Sequence, residues 1–349
     1  MKGVVFTGDR RLELQHVDDP SPGEGEVVLE IKASGMCGSD LKFYRAPKGT
    51  AAKALGVPDS GPVIAGHEPC GVVVAVGRGV SEKQARVGQR VMVHHYRGCG
   101  ACPHCSTGWM QLCVEGVAEV YGVSGNGAHA PYMKCLARTL VPLPDELSFA
   151  TGAAISCGTG TAWGALQRLD LRADQTIAVF GQGPVGLSVT QLAAAMGARV
   201  IALDVSADRL GRAREFGASE LINPAEADAV QAIRDLTHGL GAHASLDASS
   251  SPQARRQAVQ CVRTWGKACM VGEGGELTVD VSPDMLRRQV TVIGSWTFST
   301  VGQGECATYV ADRGIDVDRL FTERWTLEQA DEAYKLFDRQ TSGKGVFLM

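Results

Sequence analysis

The chain has 349 residues, 44% of them hydrophobic and 21% charged, with a net charge of −4. That length suits two domains or one large one with a sizeable core, and the composition is that of an ordinary globular protein. The weak negative charge argues against broad electrostatic binding to nucleic acid or acidic membranes, and no apolar run approaches the length of a membrane span. Met1 to Arg11 alternates apolar and polar residues and lacks the apolar stretch of a signal peptide, so the cytoplasm is the expected location. Eleven cysteines in such a chain point to metal binding or catalysis rather than to disulfides. The 43 glycines are dispersed, which implies many tight turns and close backbone approaches.

In chain order, the first half reads as short strands between turns. Val27 to Lys32, Val72 to Val76 and Val91 to His94 are β-branched runs bounded by Gly, Pro and Ser. From about Thr176 the rhythm changes. Thr176 to Phe180 is an apolar strand, Pro184 to Met196 has helical spacing and stops at Gly197, and Val200 to Asp204 is a second strand. A helix follows from Ala207 to Phe216, stopped by Gly217. Leu221 to Ile222, Ala244 to Asp247, Ala268 to Gly272 and Val290 to Ile293 continue the series. Strands alternating with helices predict βαβ units and a parallel sheet. After Gly294 the series ends, leaving a charged amphipathic helix near Leu327 to Asp338 and a last strand at Gly345 to Leu348.

Gly181, Gly183 and Gly186 stand between the first of these strands and the helix that follows it, in the run Gly-Gln-Gly-Pro-Val-Gly. In that context the pattern is a dinucleotide-binding turn. The first glycine makes the turn, the second lets the backbone approach a pyrophosphate, and the third lets helix and strand pack closely. The helix that opens at Pro184 and Val185 offers free N–H groups to the phosphates. Asp204, about 20 residues on, is placed to accept from the adenosine ribose hydroxyls and to repel a 2′-phosphate, favouring NAD over NADP. Arg209 and Arg212 pull the other way, since guanidinium groups accept phosphate. The alternative is a glycine turn without a ligand.

Cys99, Cys102, Cys105 and Cys113 follow the pattern C-x2-C-x2-C-x7-C. Four thiolates at this spacing can close a tetrahedral zinc site with no open position, so the metal would brace a loop. An iron–sulfur cluster and a set of core or disulfide-bonded cysteines are the alternatives. His104 reads as a bystander. Three separate segments offer a second set of ligands: Cys37 in Gly35-Met-Cys-Gly-Ser-Asp40, His67 with Glu68, and Cys157 in Ile155-Ser-Cys-Gly158. Spacing alone does not join them, and each could be a buried structural residue.

At these residues the chain resembles the medium-chain zinc-dependent alcohol/polyol dehydrogenase family. Gly66-His-Glu-Pro-Cys-Gly71 followed by Gly77 and Val80, the run Cys37 to Asp40, the four-cysteine loop, Cys157 with Thr161, the glycine turn and the ending Gly343-Lys-Gly-Val-Phe347 all fall in the family's order. The likeness covers essentially the whole chain. It implies an α/β fold: a GroES-like, β-rich catalytic domain over residues 1–158, a Rossmann doubly wound parallel-sheet NAD-binding domain over 159–292, and a return to the catalytic domain over 293–349. It implies two zinc ions per chain and an active site in the cleft between domains.

The family's catalytic zinc would be held by Cys37, His67 and Cys157, with Glu68 beside it and able to exchange onto it, and with the fourth position left for the substrate oxygen. Asp40 resembles the carboxylate that orients the ligand histidine, or else is a turn residue. Ser39 matches the hydroxyl that takes the alcohol proton, and also suits a helix N-cap. Thr161 resembles a residue that touches the nicotinamide, and Arg209 one beside the adenosine ribose. Lys42 departs from the family, where a histidine often ends the proton relay. Either burial frees its amine, or it binds the cofactor ribose, or the relay runs through water. His95 matches a substrate-pocket position where an aromatic residue often stands. Trp296 and Phe298 match the segment that often closes the pocket, or are core.

The expected activity is hydride transfer between NAD and a secondary alcohol or small diol or polyol, or the corresponding ketone. Ser39 leaves more room than threonine, Cys157 leans towards the alcohol branch, and His95 towards polyols. The resemblance further implies a homodimer or homotetramer. Two other classes remain at this stage: a zinc-free enone or quinone reductase, which would lack the ligands at 37, 67 and 157, and a non-catalytic NAD-binding protein, which would lose Ser39, a zinc ligand or the glycine turn. Cys70, Cys135, Cys261, Cys269 and Cys306 read as reduced core residues.

Overall fold

The computed structural model describes residues 1–48, 50, 61–339 and 343–349. The chain divides into two compact units: Met1–Gly160 with Phe298–Met349, and Thr161–Thr297. The first opens with a hairpin of β1 (Lys2–Gly8) and β2 (Arg11–His16). It continues through β3 (Glu26–Gly35), α1 (Asp40–Arg45), β4 (Pro69–Val76), β5 (Arg90–Val93), β6 (Tyr96–Arg97), α2 (Pro103–Ser106) and β7 (Glu119–Val120). β8 (Tyr132–Leu136), β9 (Leu140–Pro142) and α3 (Phe149–Ile155) follow, and the helix α4 (Gly158–Leu169) begins in the first unit and continues as the start of the second.

The second unit alternates strand and helix: β10 (Thr176–Phe180), α5 (Pro184–Ala195), β11 (Arg199–Leu203), α6 (Ala207–Glu215), β12 (Glu220–Ile222), α7 (Ala229–Leu236), β13 (Ala242–Asp247), α8 (Pro252–Cys261), β14 (Val262–Met270) and β15 (Thr291–Gly294). The chain then returns to the first unit as α9 (Thr300–Asp312), β16 (Phe321–Trp325), α10 (Ala330–Asp338) and β17 (Lys344–Leu348).

In the second unit all six strands pair in parallel, in the order β12-β11-β10-β13-β14-β15. This is the doubly wound order, which reverses direction beside β10 and leaves a crevice at the carboxyl ends of the strands. Every residue of β10 is buried, as a strand covered on both faces requires. The sequence places one strand too short. β14 begins at Val262 rather than Ala268, and its register shifts between Val262 and Lys267, where Trp265 takes φ 64. A bulge of this kind breaks the apolar run by which a strand is read.

The first unit holds a seven-stranded sheet: six strands in the order β16-β17-β3-β4-β5-β9, and β8 paired with β3 off this path. The long β3 shares one edge between two partners. Residues 26–30 pair with β8, and residues 33–35 pair with β17. β17 thereby carries the end of the chain to the segment that precedes α1. The charged stretch from Leu327 is a short 3-10 turn (Leu327–Gln329) closed by a capping box on Thr326, then α10. Tyr334 and Phe337 of α10 are buried with Met36, Leu41, Tyr44 and Phe347. No helix among the described residues is long and apolar enough to cross a membrane.

Candidate active site

Three backbone turns of the first unit bring the dispersed ligands together. Cys37 lies in the turn between β3 and α1, where its N–H donates to Asp40 Oδ2 at 2.8 Å. His67 and Glu68 sit just before β4, after Gly66 at φ 94, a conformation that favours glycine. A Cβ at Gly66 would also strike the ring of His129. Cys157 lies at the junction of α3 and α4, next to Ser156, whose hydroxyl donates to Pro69 O at 2.9 Å. One potential ligand atom from each of Cys37, His67, Glu68 and Cys157 lies within 4.8 Å of the others.

The donor set fits a metal. The sulfurs of Cys37 and Cys157 are 3.9 Å apart. Tetrahedral zinc with Zn–S near 2.3 Å sets two thiolate sulfurs about 3.8 Å apart. His67 Nδ1 lies 2.8 Å from Asp40 Oδ1, so a proton on Nδ1 faces the carboxylate and Nε2 faces the cluster. Hydrogen bonding between the two thiols holds Cys37 well below its ordinary pKa, aided by His67 and Lys344 against burial. The same bond, with burial, raises Cys157. Lone pairs that converge in a buried place repel one another unless a cation lies between them.

Ser39 occupies the N-cap position of α1, but its side chain makes no cap bond. Its hydroxyl turns instead into the cluster, 3.1 Å from His67 Nε2 and 3.2 Å from Cys37 Sγ. Lys42 is exposed, on the surface of α1. His95 Nδ1 donates to Ser156 O at 3.1 Å, which leaves its Nε2 as an acceptor. Its ring lies 5.3 Å from that of His67, and burial holds it neutral, well below its ordinary pKa. Phe298 is buried against His94 and His95, whereas Trp296 is 47% exposed.

Glu68 has a partner that the sequence reading did not assign. The ammonium of Lys344 lies 2.7 and 2.6 Å from its two oxygens and donates to Met36 O at 3.0 Å. Both side chains are almost fully buried. Burial pushes the Glu68 carboxyl up to about 7, against the pull of Lys344. The run Gly343 to Phe347 was the signal for Lys344, read there for resemblance alone.

The other cysteine loop forms a second cluster. Cys99, Cys102, Cys105 and Cys113 bring their sulfurs together, with 3.9 Å between Cys99 and Cys105 and 3.9 Å between Cys102 and Cys113. These are again tetrahedral zinc spacings. Backbone N–H groups of Cys99, Ala101, Cys102 and Cys105 point at the sulfurs. Such bonds favour the thiolate, and the bond from Cys105 is the main cause that brings Cys102 down to about 6. His104 is exposed and stands outside the cluster. No cysteine in the chain is disulfide-bonded, and Cys70, Cys135, Cys261, Cys269 and Cys306 are buried thiols.

In the second unit, Gly181 follows β10 at φ 86, and a Cβ there would strike the backbone of Ser249. Gly183 caps α5, with Pro184 at the first helical position and Val185 next, and a Cβ on Gly183 would meet nothing within 4 Å. At Gly186 a Cβ would run into the carbonyl of Gly181. Asp204 accepts from the N–H groups of Gln182 at 2.7 Å and Ser206 at 3.0 Å, which fixes it beside the glycine turn. Arg209 lies 3.9 Å from the same carboxylate. Thr161 is half-buried near the start of α4.

Residues 23–145 match the family model described as alcohol dehydrogenase GroES-like domain, and residues 184–313 the one described as zinc-binding dehydrogenase. The chain is 37% identical over 349 residues to YphC of Escherichia coli (strain K12), an uncharacterized zinc-type alcohol dehydrogenase-like protein, covering 99% of this chain and 98% of that one. It is 31% identical over 340 residues to a sorbitol dehydrogenase of Bacillus subtilis (strain 168), covering 95% and 92%. Among solved structures it is similar to acetophenone reductase from Geotrichum candidum NBRC 4597 in complex with NAD, with a TM-score of 0.83, 28% identity and coverage of 100% and 97%.

The chain belongs to the medium-chain zinc-dependent alcohol and polyol dehydrogenases. It is an NAD-linked, zinc-dependent oxidoreductase of alcohols or polyols with a GroES-like and a Rossmann-like part. Within this dehydrogenase sequence reasoning also missed His129 and Tyr334, whose side chains stand behind the first cluster. His129 sits in a run, Gly127 to Tyr132, that carries no metal-ligand spacing, so nothing in the sequence drew attention to it.

Proposed function

We propose that this dehydrogenase oxidises a secondary alcohol, or the secondary carbon of a small diol or polyol, with NAD as the hydride acceptor and zinc at two sites. The observation that carries the reading is the convergence of Cys37, His67 and Cys157 with the Ser39 hydroxyl turned in among them. Cys37, His67 and Cys157 hold one zinc, with Glu68 in reserve beside it. Cys99, Cys102, Cys105 and Cys113 hold the other, which braces their loop. When bound, the first zinc supplies Lewis acidity to the substrate oxygen, and NAD supplies the acceptor for the hydride.

The chain's own groups do the rest. Asp40 keeps the His67 proton on Nδ1. Ser39 Oγ takes the proton of the substrate hydroxyl and hands it to water, since the exposed Lys42 is not buried as an internal base would be. Gly181, Gly183, Pro184, Val185 and Gly186 bring backbone N–H groups to the pyrophosphate. Asp204 accepts from the adenosine ribose and repels a 2′-phosphate, with Arg209 beside it and Thr161 against the nicotinamide. The unit Thr161–Thr297 is thus the nucleotide-binding part. The small Ser39 leaves room for a second carbon substituent, and the free Nε2 of His95 offers an acceptor to a second hydroxyl. The names of the sorbitol dehydrogenase and the acetophenone reductase support a secondary carbon. The family likeness extends the proposal to a cytoplasmic homodimer or homotetramer.

The test is NADH formation over a panel of primary alcohols, secondary alcohols and vicinal diols, repeated with NADP. The reading expects secondary alcohols or diols to exceed the matched primary alcohols by at least about tenfold in kcat/KM, and NAD to exceed NADP. Reduction of enones by metal-stripped protein, with no alcohol turned over, would instead establish the zinc-free reductase.

A further inference from the structure

A buried chain of hydrogen bonds runs away from the first cluster. Asp40, whose Oδ1 meets His67 Nδ1, accepts at Oδ2 from the Tyr334 hydroxyl at 3.2 Å as well as from the Cys37 N–H. The Tyr334 oxygen lies 2.8 Å from His129 Nε2, and His129 Nδ1 lies 2.7 Å from Ser34 Oγ. Asp40, Tyr334, His129 and Ser34 are all essentially inaccessible.

The direction of every bond follows from the carboxylate. Asp40 Oδ2 already accepts from the Cys37 N–H, so the single Tyr334 proton goes to it. The Tyr334 oxygen must then accept from His129 Nε2–H. A neutral imidazole has no second N–H, so its Nδ1 accepts from the Ser34 hydroxyl. Three donors therefore line up towards one oxygen of the carboxylate that orients the metal-ligand histidine. The chain also crosses the fold. Ser34 is on β3, His129 precedes β8, Tyr334 is on α10, and Asp40 opens α1. α10 belongs to the returning segment, so the end of the chain is tied to the ligand turn by this bond as well as by Lys344.

We propose that Tyr334, aligned by His129 and Ser34, is a positioning residue that sets the angle of Asp40 and through it the metal affinity of the Cys37–His67–Cys157 cluster. The proposal rests on that cluster being a zinc site. Tyr334 touches neither metal nor substrate. It removes the freedom of Asp40 to rotate, because Oδ2 is held by two donors while Oδ1 faces His67. Groups behind metal ligands commonly change affinity by 10- to 100-fold when removed. Tyr334 stands one bond further out, and about tenfold is expected.

Tyr334→Phe alone strands the buried Nε2–H of His129, which destabilises any protein whatever the role of the bond. The deciding variant is therefore Tyr334→Phe/His129→Leu/Ser34→Ala, which removes every polar member of the chain beyond Asp40. Zinc per chain is measured for wild type, the single and the triple variant during titration with a chelator, alongside the visible absorption of the cobalt-substituted proteins. The expected result is that the triple variant regains the melting temperature lost in the single one. It nevertheless gives up the zinc of the Cys37 cluster at about tenfold lower chelator, keeps the four-cysteine zinc, and shows a shifted cobalt spectrum. A triple variant with wild-type zinc retention and spectrum would make the network core filler and overturn the proposal. Wild-type protein that binds metal only at the four-cysteine loop would overturn the reading of the cluster itself, and this proposal with it.

Discussion

At the scale of single residues, burial sets the charge state of the groups around the site. His94 and His129 are both inaccessible, and burial brings each down to about 4. In the unfolded chain a histidine titrates near 6.5. As pH falls, the unfolded state therefore takes up the proton first. The stability each neutral histidine retains is complete above about pH 6.5 and is lost as pH falls towards 4. Between pH 7 and 5 the loss is roughly 2 kcal/mol per group. His94→Leu should remove one such share. Denaturant unfolding of wild type and variant at the two pH values checks this, with wild type losing about 2 kcal/mol more than the variant. Equal losses would mean that His94 is already protonated, or reachable by solvent, in the folded protein.

Residue identity was legible in the sequence where chemistry demands a particular atom at a particular spacing. The four cysteines of the loop are grouped by spacing alone, and the structure brings their sulfurs together. Cys37, His67 and Cys157 are far apart in sequence, and only the family resemblance joined them beforehand. Lys344 and Tyr334 lie about 300 residues from their partners, and a buried ion pair or hydrogen bond across that distance leaves no periodic trace. The Glu68–Lys344 pair is costly to break from one side, because a buried charge left alone destabilises by about 3–5 kcal/mol. That cost gives a physical reason for a lysine at this point of β17.

At the scale of elements, the second unit was the more readable. Its strands are buried on both faces and its helices stop at Gly197 and Gly217, which take φ 90 and φ 101. Strand and helix periods therefore stand out. The helices α2, α3, α4, α7, α8 and α9 were not read from the sequence. α9 has seven small or β-branched residues in its first nine positions, a pattern with weak helical periodicity. The hairpin of β1 and β2 was visible only as polar alternation.

The glycine turn before α5 makes a prediction in which neighbouring glycines part company. Gly183 has open space where a Cβ would stand, whereas Gly186 faces the Gly181 carbonyl. Gly183→Ala should leave the melting temperature within about 1 °C of wild type and weaken NAD binding by on the order of tenfold, because the methyl occupies the approach of the pyrophosphate. Gly186→Ala should cost about 2 kcal/mol of stability by prising α5 from β10, with NAD binding falling as a consequence. Melting curves and NAD titration by fluorescence separate the two. Unchanged NAD affinity in folded Gly183→Ala would move the cofactor away from this turn.

At the scale of the whole molecule, the chain is two units with a division of labour. One contributes a doubly wound sheet with a glycine turn and a fixed carboxylate at the carboxyl ends of its strands. The other contributes two clusters of soft ligands on one β-rich frame, with its last strand and last helix both tied to the ligand turn. The fold class was legible as βαβ alternation. The return of the chain to the first unit was not legible from periodicity and came from the resemblance. The central claim is that two distinct zinc sites exist and that the Cys37–His67–Cys157 cluster is one of them. Zinc per chain, measured on wild type and on Cys37→Ala/His67→Ala, tests it most directly. Two ions falling to one in the variant is the predicted result, and one ion in both proteins would contradict it.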